Sequence, residues 1–281
     1  AGMCLAAAAA PGTAVAQEAQ AGLRSPQDKS QYTLFNPVPR DMRREMSPDR
    51  PDRTESPFTV DAGHVQVELS FVEWSKGTNG AEVTSVLPTN IKLGLTEHID
   101  AQLIINPNIR VRSSGRAQEG VGDTQFRLKV NLWGNDGGDG FYGDTALAVM
   151  PFVQFPTADD KFGDEEDVEF GVIVPFTVPL PYDMALTVMA EVDVVRDGGG
   201  GYDTLFVHTA SLGRDLYGPV GGYLEYIGVQ PIDGDGDYRA SVGTGLTYNV
   251  NEDVQLDTGI EVGLTSDAND LRVFAGMTFR L

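Results

Sequence analysis

The sequence predicts an all-β protein, a 12-stranded antiparallel transmembrane β-barrel of the outer-membrane type with an N-terminal extended segment. Three observations predict it. From Phe58 to Leu281 the chain runs as segments of alternating apolar and polar residues, as strands do with lipid on one side and water on the other. The last segment puts Leu271, Val273, Ala275, Met277, Phe279 and Leu281 on one face and Arg272, Gly276, Thr278 and Arg280 on the other, with Phe274 the one bulky exception. Second, no stretch after residue 20 approaches the ~18 consecutive apolar residues of a membrane helix. A membrane protein then needs a closed barrel, the other structure that satisfies every backbone polar group in lipid. Third, the connections alternate short and long, as periplasmic turns and outer loops do.

The elements follow in chain order. Residues 1–16 are Ala-rich and apolar and end in Ala14-Val15-Ala16, which reads as a signal-peptide remnant with its cleavage site. Cys4, the single cysteine, is expected to leave with it, so no disulfide or thiolate metal site is expected. Residues 17–57 carry Pro26, Pro37, Pro39, Pro48, Pro51 and Pro57 with mixed charge and read as a periplasmic linker. The alternative arrangement is a plug folded back into the barrel. The barrel is expected over 58–281.

Its strands are expected at 58–74, 81–95, 99–112, 122–133, 144–156, 168–179, 184–197, 203–214, 219–230, 238–250, 254–265 and 271–281. Thr96-Glu97-His98, Pro181-Tyr182-Asp183, Asp215–Gly218 and Asn251-Glu252-Asp253 are short turns, and the intervening connections are mostly longer. Asn135–Gly143 breaks the rule, being long where a short turn is due. Phe279, Tyr248, Tyr226, Trp133, Phe155 and Tyr182 fall near strand ends, where interfacial aromatics belong. A soluble sandwich would also alternate, but it would be unusually large.

Composition narrows the partners. With 20 basic and 41 acidic residues, a net of −21, nucleic acid is not expected, since its phosphates are bound by Lys and Arg. The expected partners are outer-membrane lipid, lipopolysaccharide and small-molecule solutes.

Four stretches taken together carry a family resemblance. They are DRPDRTESPFTVDAGH from Asp49, LPTNIKLGLTEHID from Leu87, GVGDTQFRLKVNLWGNDGG from Gly120 and ALAVMPFVQFPTA from Ala146. The chain resembles the outer-membrane barrels known as the MetA-pathway-of-phenol-degradation proteins. That resemblance implies a barrel related to uptake of small, often aromatic, compounds. It carries over no catalytic residue.

If the apolar face meets lipid, the polar face lines a lumen. Strands two to four then present a basic wall of Lys92, Arg110, Arg112, Arg127 and Lys129. Strands seven to eleven present an acidic one of Glu191, Asp193, Glu225, Asp257 and Glu261. Such a separation orients dipolar solutes and screens ions; alternatively the charges pair and close the lumen. Phe152, Ile173 and Phe274 are candidates for an apolar pocket.

Catalysis is not expected. The histidines His64, His98 and His208 have no nucleophile placed beside them by sequence, and no G-x-S-x-G occurs. Asp233–Asp237 imitates a calcium loop, but Tyr238 and Thr244 replace the turn Gly and the bidentate Glu. No metal site and no cofactor are expected. The function expected is an outer-membrane channel or transporter for small organic solutes, aromatic or anionic, through a narrow charged lumen. The alternatives are a lateral-exit route for hydrophobic compounds and a non-conducting structural or adhesion barrel.

Overall fold

The computed structural model describes residues 28–162, 167–197, 199–233 and 236–281. The expected signal remnant and the start of the linker lie outside them.

Fifteen strand segments follow in order: β1 (Val65–Lys76), β2 (Glu82–Val86), β3 (Thr89–Gly94), β4 (Ile99–Ile105), β5 (Asn108–Ser113), β6 (Arg116–Gly120), β7 (Thr124–Trp133), β8 (Ala146–Phe155), β9 (Glu169–Leu180), β10 (Met184–Arg196), β11 (Tyr202–Tyr217), β12 (Val220–Pro231), β13 (Arg239–Asn251), β14 (Val254–Gly263) and β15 (Leu271–Arg280). Three spanning strands are each split in two, giving a 12-stranded antiparallel barrel. β15 pairs with β1 from Gln66↔Arg280 to Lys76↔Leu271, which closes the wall. Within the closed wall no edge strand is left for lipid to leave unsatisfied; β6, beyond the splits, is paired on one side only.

The splits have local causes. Between β2 and β3, Leu87 adopts φ 57° and Pro88 brings no N–H. Between β4 and β5, Pro107 again removes a donor. Between β6 and β7 the Gly122 N–H turns to the Asn106 carbonyl, 2.8 Å away. The upper pieces β2, β5 and β6 pair among themselves as an outward extension of β1.

Polarity runs inside out relative to a soluble barrel. Leu132, Leu224 and Leu246 are 52%, 56% and 50% exposed on the outside, whereas Lys92 and Lys129 inside are 1% and 0% exposed. On β1, Gln66, Glu68 and Ser70 are buried while Phe71 is exposed to the lipid side. His208, on a segment whose sequence alternates poorly, points outward into a cluster with Phe206, Tyr226 and Tyr238 and bonds the Tyr238 hydroxyl at 3.1 Å.

The first strand begins at Val65 rather than Phe58. Phe58, Val60 and Ala62 are buried, but their stretch forms no ladder: Thr59 N donates to Asn135 Oδ1 and Val60 N to Asp100 Oδ2, each at 3.0 Å. Side chains of the wall satisfy this backbone, so its alternation reflects packing inside the lumen.

Candidate functional site

Residues 28–64 run through the barrel and meet its wall at successive heights. At the mouth that holds the 95–98 and 134–145 connections, Lys29 pairs with Asp61 at 3.1 Å and Asp136 at 2.7 Å, and Arg44 pairs with Asp61 at 3.0 Å. Burial pushes the Asp61 carboxyl up, but Arg44 and Lys29 outweigh it and hold the group below the usual carboxylate range. Asn135 bonds Thr59 and the Glu97 carbonyl. The long 135–143 connection, out of place for a periplasmic turn, thus supplies anchors for this segment. His64 bonds the carbonyls of Val38 and Leu281, at 2.7 and 3.2 Å, and ties it to the end of the chain.

Deeper in, Asp49 meets Lys129 at 2.8 Å and Lys92, which also pairs with Glu68. All four side chains are buried. Burial alone would raise the Asp49 carboxyl; Lys129 and Lys92 overcome that and hold it well below the ordinary range. Two buried ammonium groups each need a counter-charge, because the desolvation cost is repaid only by close pairing.

From Asp49 the chain crosses the lumen as a strap, 49–56. Arg50 pairs with Asp257 at 2.7 Å and lies 5.7 Å from the Phe274 ring centre, with Arg272 at 4.5 Å from the same ring. Glu225 accepts from the N–H groups of Arg53 and Thr54 and from the Thr54 hydroxyl, at 2.6–3.1 Å. Arg53 reaches Glu261 at 3.0 Å, and Glu55 pairs with Arg127. Burial, and then the Asp49 charge, push the Glu55 carboxyl up to about 7 against the pull of Arg127.

The strap divides the lumen. Below it lies a crevice of about 40 Å³ among Pro48, Asp52, Thr187, Tyr223 and Gln255, enough for water but not for an organic solute. Above it lies an outer cavity of about 560 Å³, floored by Asp52, Arg53 and Glu55 and walled by β9 to β13, with Asp267–Asn269 at its rim. Its size falls in the range of small-molecule sites.

Of the residues expected in a basic wall, Lys92, Lys129 and Arg127 come together around Asp49 and Glu55. Arg110 and Arg112 stand apart on β5, exposed in the outward extension, with Arg112 3.8 Å from Glu82. Of the acidic wall, Glu225, Asp257 and Glu261 engage the strap, while Glu191 and Asp193 line the outer cavity. Phe152 and Ile173 pack with Met150, Met189 and Val207; Phe274 is buried elsewhere, beneath the two arginines. Met150 and Met189 were not among the expected site residues; nor were the strap residues Asp49, Arg50, Arg53 and Glu55. The signal for the strap was present, since buried lumen cations demand nearby carboxylates. Among the described residues no group of three or more His, Cys, Asp or Glu is placed to hold a metal ion.

Solved barrels share the architecture. An outer membrane channel from Pseudomonas putida F1 matches with a TM-score of 0.58 at 10% identity, covering 84% of this chain and 100% of that one. The NanC porin matches with a TM-score of 0.55 at 9% identity, covering 77% of this chain and 100% of that one. At such identities the likeness shows the fold alone. No curated protein matches the chain. The family model described as "Putative MetA-pathway of phenol degradation" matches residues 48–281, strap and barrel together. This chain therefore belongs to that family of outer-membrane-type β-barrels.

Proposed function

We propose that the protein is a channel of the Gram-negative outer membrane for small organic solutes, its lumen occluded by its own N-terminal segment and opened when the strap shifts. The exposed apolar belt supports a lipid environment, which in this reading is the outer membrane with its lipopolysaccharide leaflet. The observation that carries this reading is the division of one lumen by a polar strap, with an outer cavity of about 560 Å³ and an inner crevice of about 40 Å³. A purely structural barrel has no use for a solute-sized cavity behind a removable polar barrier. Its neighbours in fold include a barrel described as an outer membrane channel and one described as a porin, which supports the same class.

A barrier built from hydrogen bonds and ion pairs can be exchanged for water, unlike a packed apolar core. Asp49 is its central bolt. Replacing Asp49 by Asn leaves Lys92 and Lys129 short of counter-charge, a loss of about 3–5 kcal/mol for a buried pair. Liposome swelling tests the reading. Vesicles holding the intact protein should swell slowly in benzoate or similar-sized solutes, and Asp49→Asn vesicles at least several-fold faster. Equal rates at the protein-free background in both would contradict it.

A second reading, lateral exit of hydrophobic compounds, draws support from one observation: the splits at Leu87-Pro88, Asn106-Pro107 and Val121–Asp123 fall in three neighbouring strands, just beyond the Phe152 cluster. Solute-dependent labelling of the lipid-facing wall there, with none below the strap, would favour it over the axial route.

A further inference from the structure

The wall of the outer cavity has an order along its strands. The pairing Ile173↔Glu191↔Val207↔Val229↔Arg239 runs as one lateral row across β9 to β13. The row above it is Gly171↔Asp193↔Leu205↔Pro231, and the row below is Met189↔Thr209↔Ile227↔Ser241. Glu191, Asp193, Leu205, Val207, Ile227, Val229 and Arg239 all line the cavity. One side of the wall is therefore acidic, two strands in the middle are mostly apolar, and the next strand carries an arginine. Three strand spacings separate Glu191 from Arg239, about 14 Å along the wall.

The charges at the two ends are not spent in the same way as those of the strap. On the acidic side, Glu191 and Asp193 hydrogen-bond to one another and so share a proton, leaving one negative charge between them, and Arg127, the cation within reach of Glu191, is already bound to Glu55. On the other side Arg53 and Arg272 are engaged by Glu261, and Arg272 also by Glu73. Arg239 is exposed and has no carboxylate partner among the described residues. Asp52 and Asp267 also reach the cavity, at its floor and rim. A ligand that satisfied this wall would carry positive charge at one end, negative at the other, and apolar surface between them.

We infer that the outer cavity binds small molecules bearing an amine and a carboxylate at opposite ends of an apolar body, the ammonium held by Glu191 and Asp193 and the carboxylate by Arg239. ω-Amino acids, aminomethyl-substituted aromatic acids and short peptides belong to this class. An α-amino acid does not, because its two charges are adjacent and span neither the valines nor the gap. The inference refines the solute class of the channel proposed above and rests on that reading for its transport meaning, but binding to the cavity is measurable without conduction.

Calorimetric titration of the full-length, detergent-solubilised protein makes the test. The probes are 4-(aminomethyl)benzoate, its two half-charged relatives 4-methylbenzylamine and 4-methylbenzoate, and phenylalanine. The zwitterion with separated charges should bind at least ten-fold more tightly than the other three. Glu191→Gln and Arg239→Gln should each cost it about ten-fold, while Glu191→Gln leaves the 4-methylbenzoate affinity unchanged. Equal binding of either half-charged relative, or of phenylalanine, would overturn the inference, as would no binding of any probe to the unmodified protein. Tight, charge-dependent binding in a protein that never conducts would leave the site standing and remove the channel; conduction without such binding would do the reverse.

Discussion

Asp49 and Glu55 flank the strap and show how the same buried setting drives two carboxyls apart. Lys129 and Lys92 keep Asp49 charged, and that charge, with burial, raises Glu55 to about 7. In a released strap Glu55 returns toward the ordinary 4.5. The seated group thus holds its proton more tightly than the released one, so seating is unpenalised below about pH 4.5 and weakens as pH rises from there through about 7, above which the penalty is full. Tryptic cleavage after Arg53, compared at each pH with Glu55→Gln, should be faster relative to that variant at pH 8 than at pH 5. A ratio flat across that range would mean that Glu55 does not titrate against the strap. Neither carboxyl was recognisable from sequence as a site residue, because position 49 and position 55 sit in a Pro-rich, aperiodic stretch. What was legible was their counterpart, Lys92, Arg127 and Lys129 on the polar face of predicted strands.

At the scale of elements, the period of two located the strands because every spanning segment divides lipid from lumen, and that division is what period-two patterning records. It failed at Phe58–Ala62, where apolar residues alternate but the backbone bonds to Asn135 and Asp100 instead of a neighbouring strand. It also joined β2 to β3 and β4 to β5, since a proline within a run interrupts the ladder without changing which face is apolar, and it left β6 inside the loop expected between the strands at 99–112 and 122–133. The inserted segment seats against β3 at one close approach: a methyl group on Gly94 would collide with the backbone of Asp61 and Val60. Gly94→Ala should therefore cost about 1–3 kcal/mol as an overpacked contact. The loss should fall on residues 28–64, read as faster hydrogen exchange at Val60–Gly63, with β9 to β15 as protected as before. Equal protection in that segment would show that the approach is slack.

The whole molecule combines an apolar exterior, a charged interior and a chain segment that neutralises much of that interior. The barrel class, closure and strand number were legible because they depend on many residues repeating one pattern. The state of the lumen was not, because it depends on a few long-range pairs between residues 28–64 and strands hundreds of positions away, such as Arg50 with Asp257 and Arg53 with Glu261. In the channel proposed above, these pairs hold closed an otherwise open path. Single-channel recording in planar bilayers, of the intact protein beside Asp49→Asn, measures it most directly. Brief, infrequent openings are expected for the intact protein and long or persistent ones for the variant, at a conductance set by the lumen. The same open fraction in both, or silence in both, would contradict it.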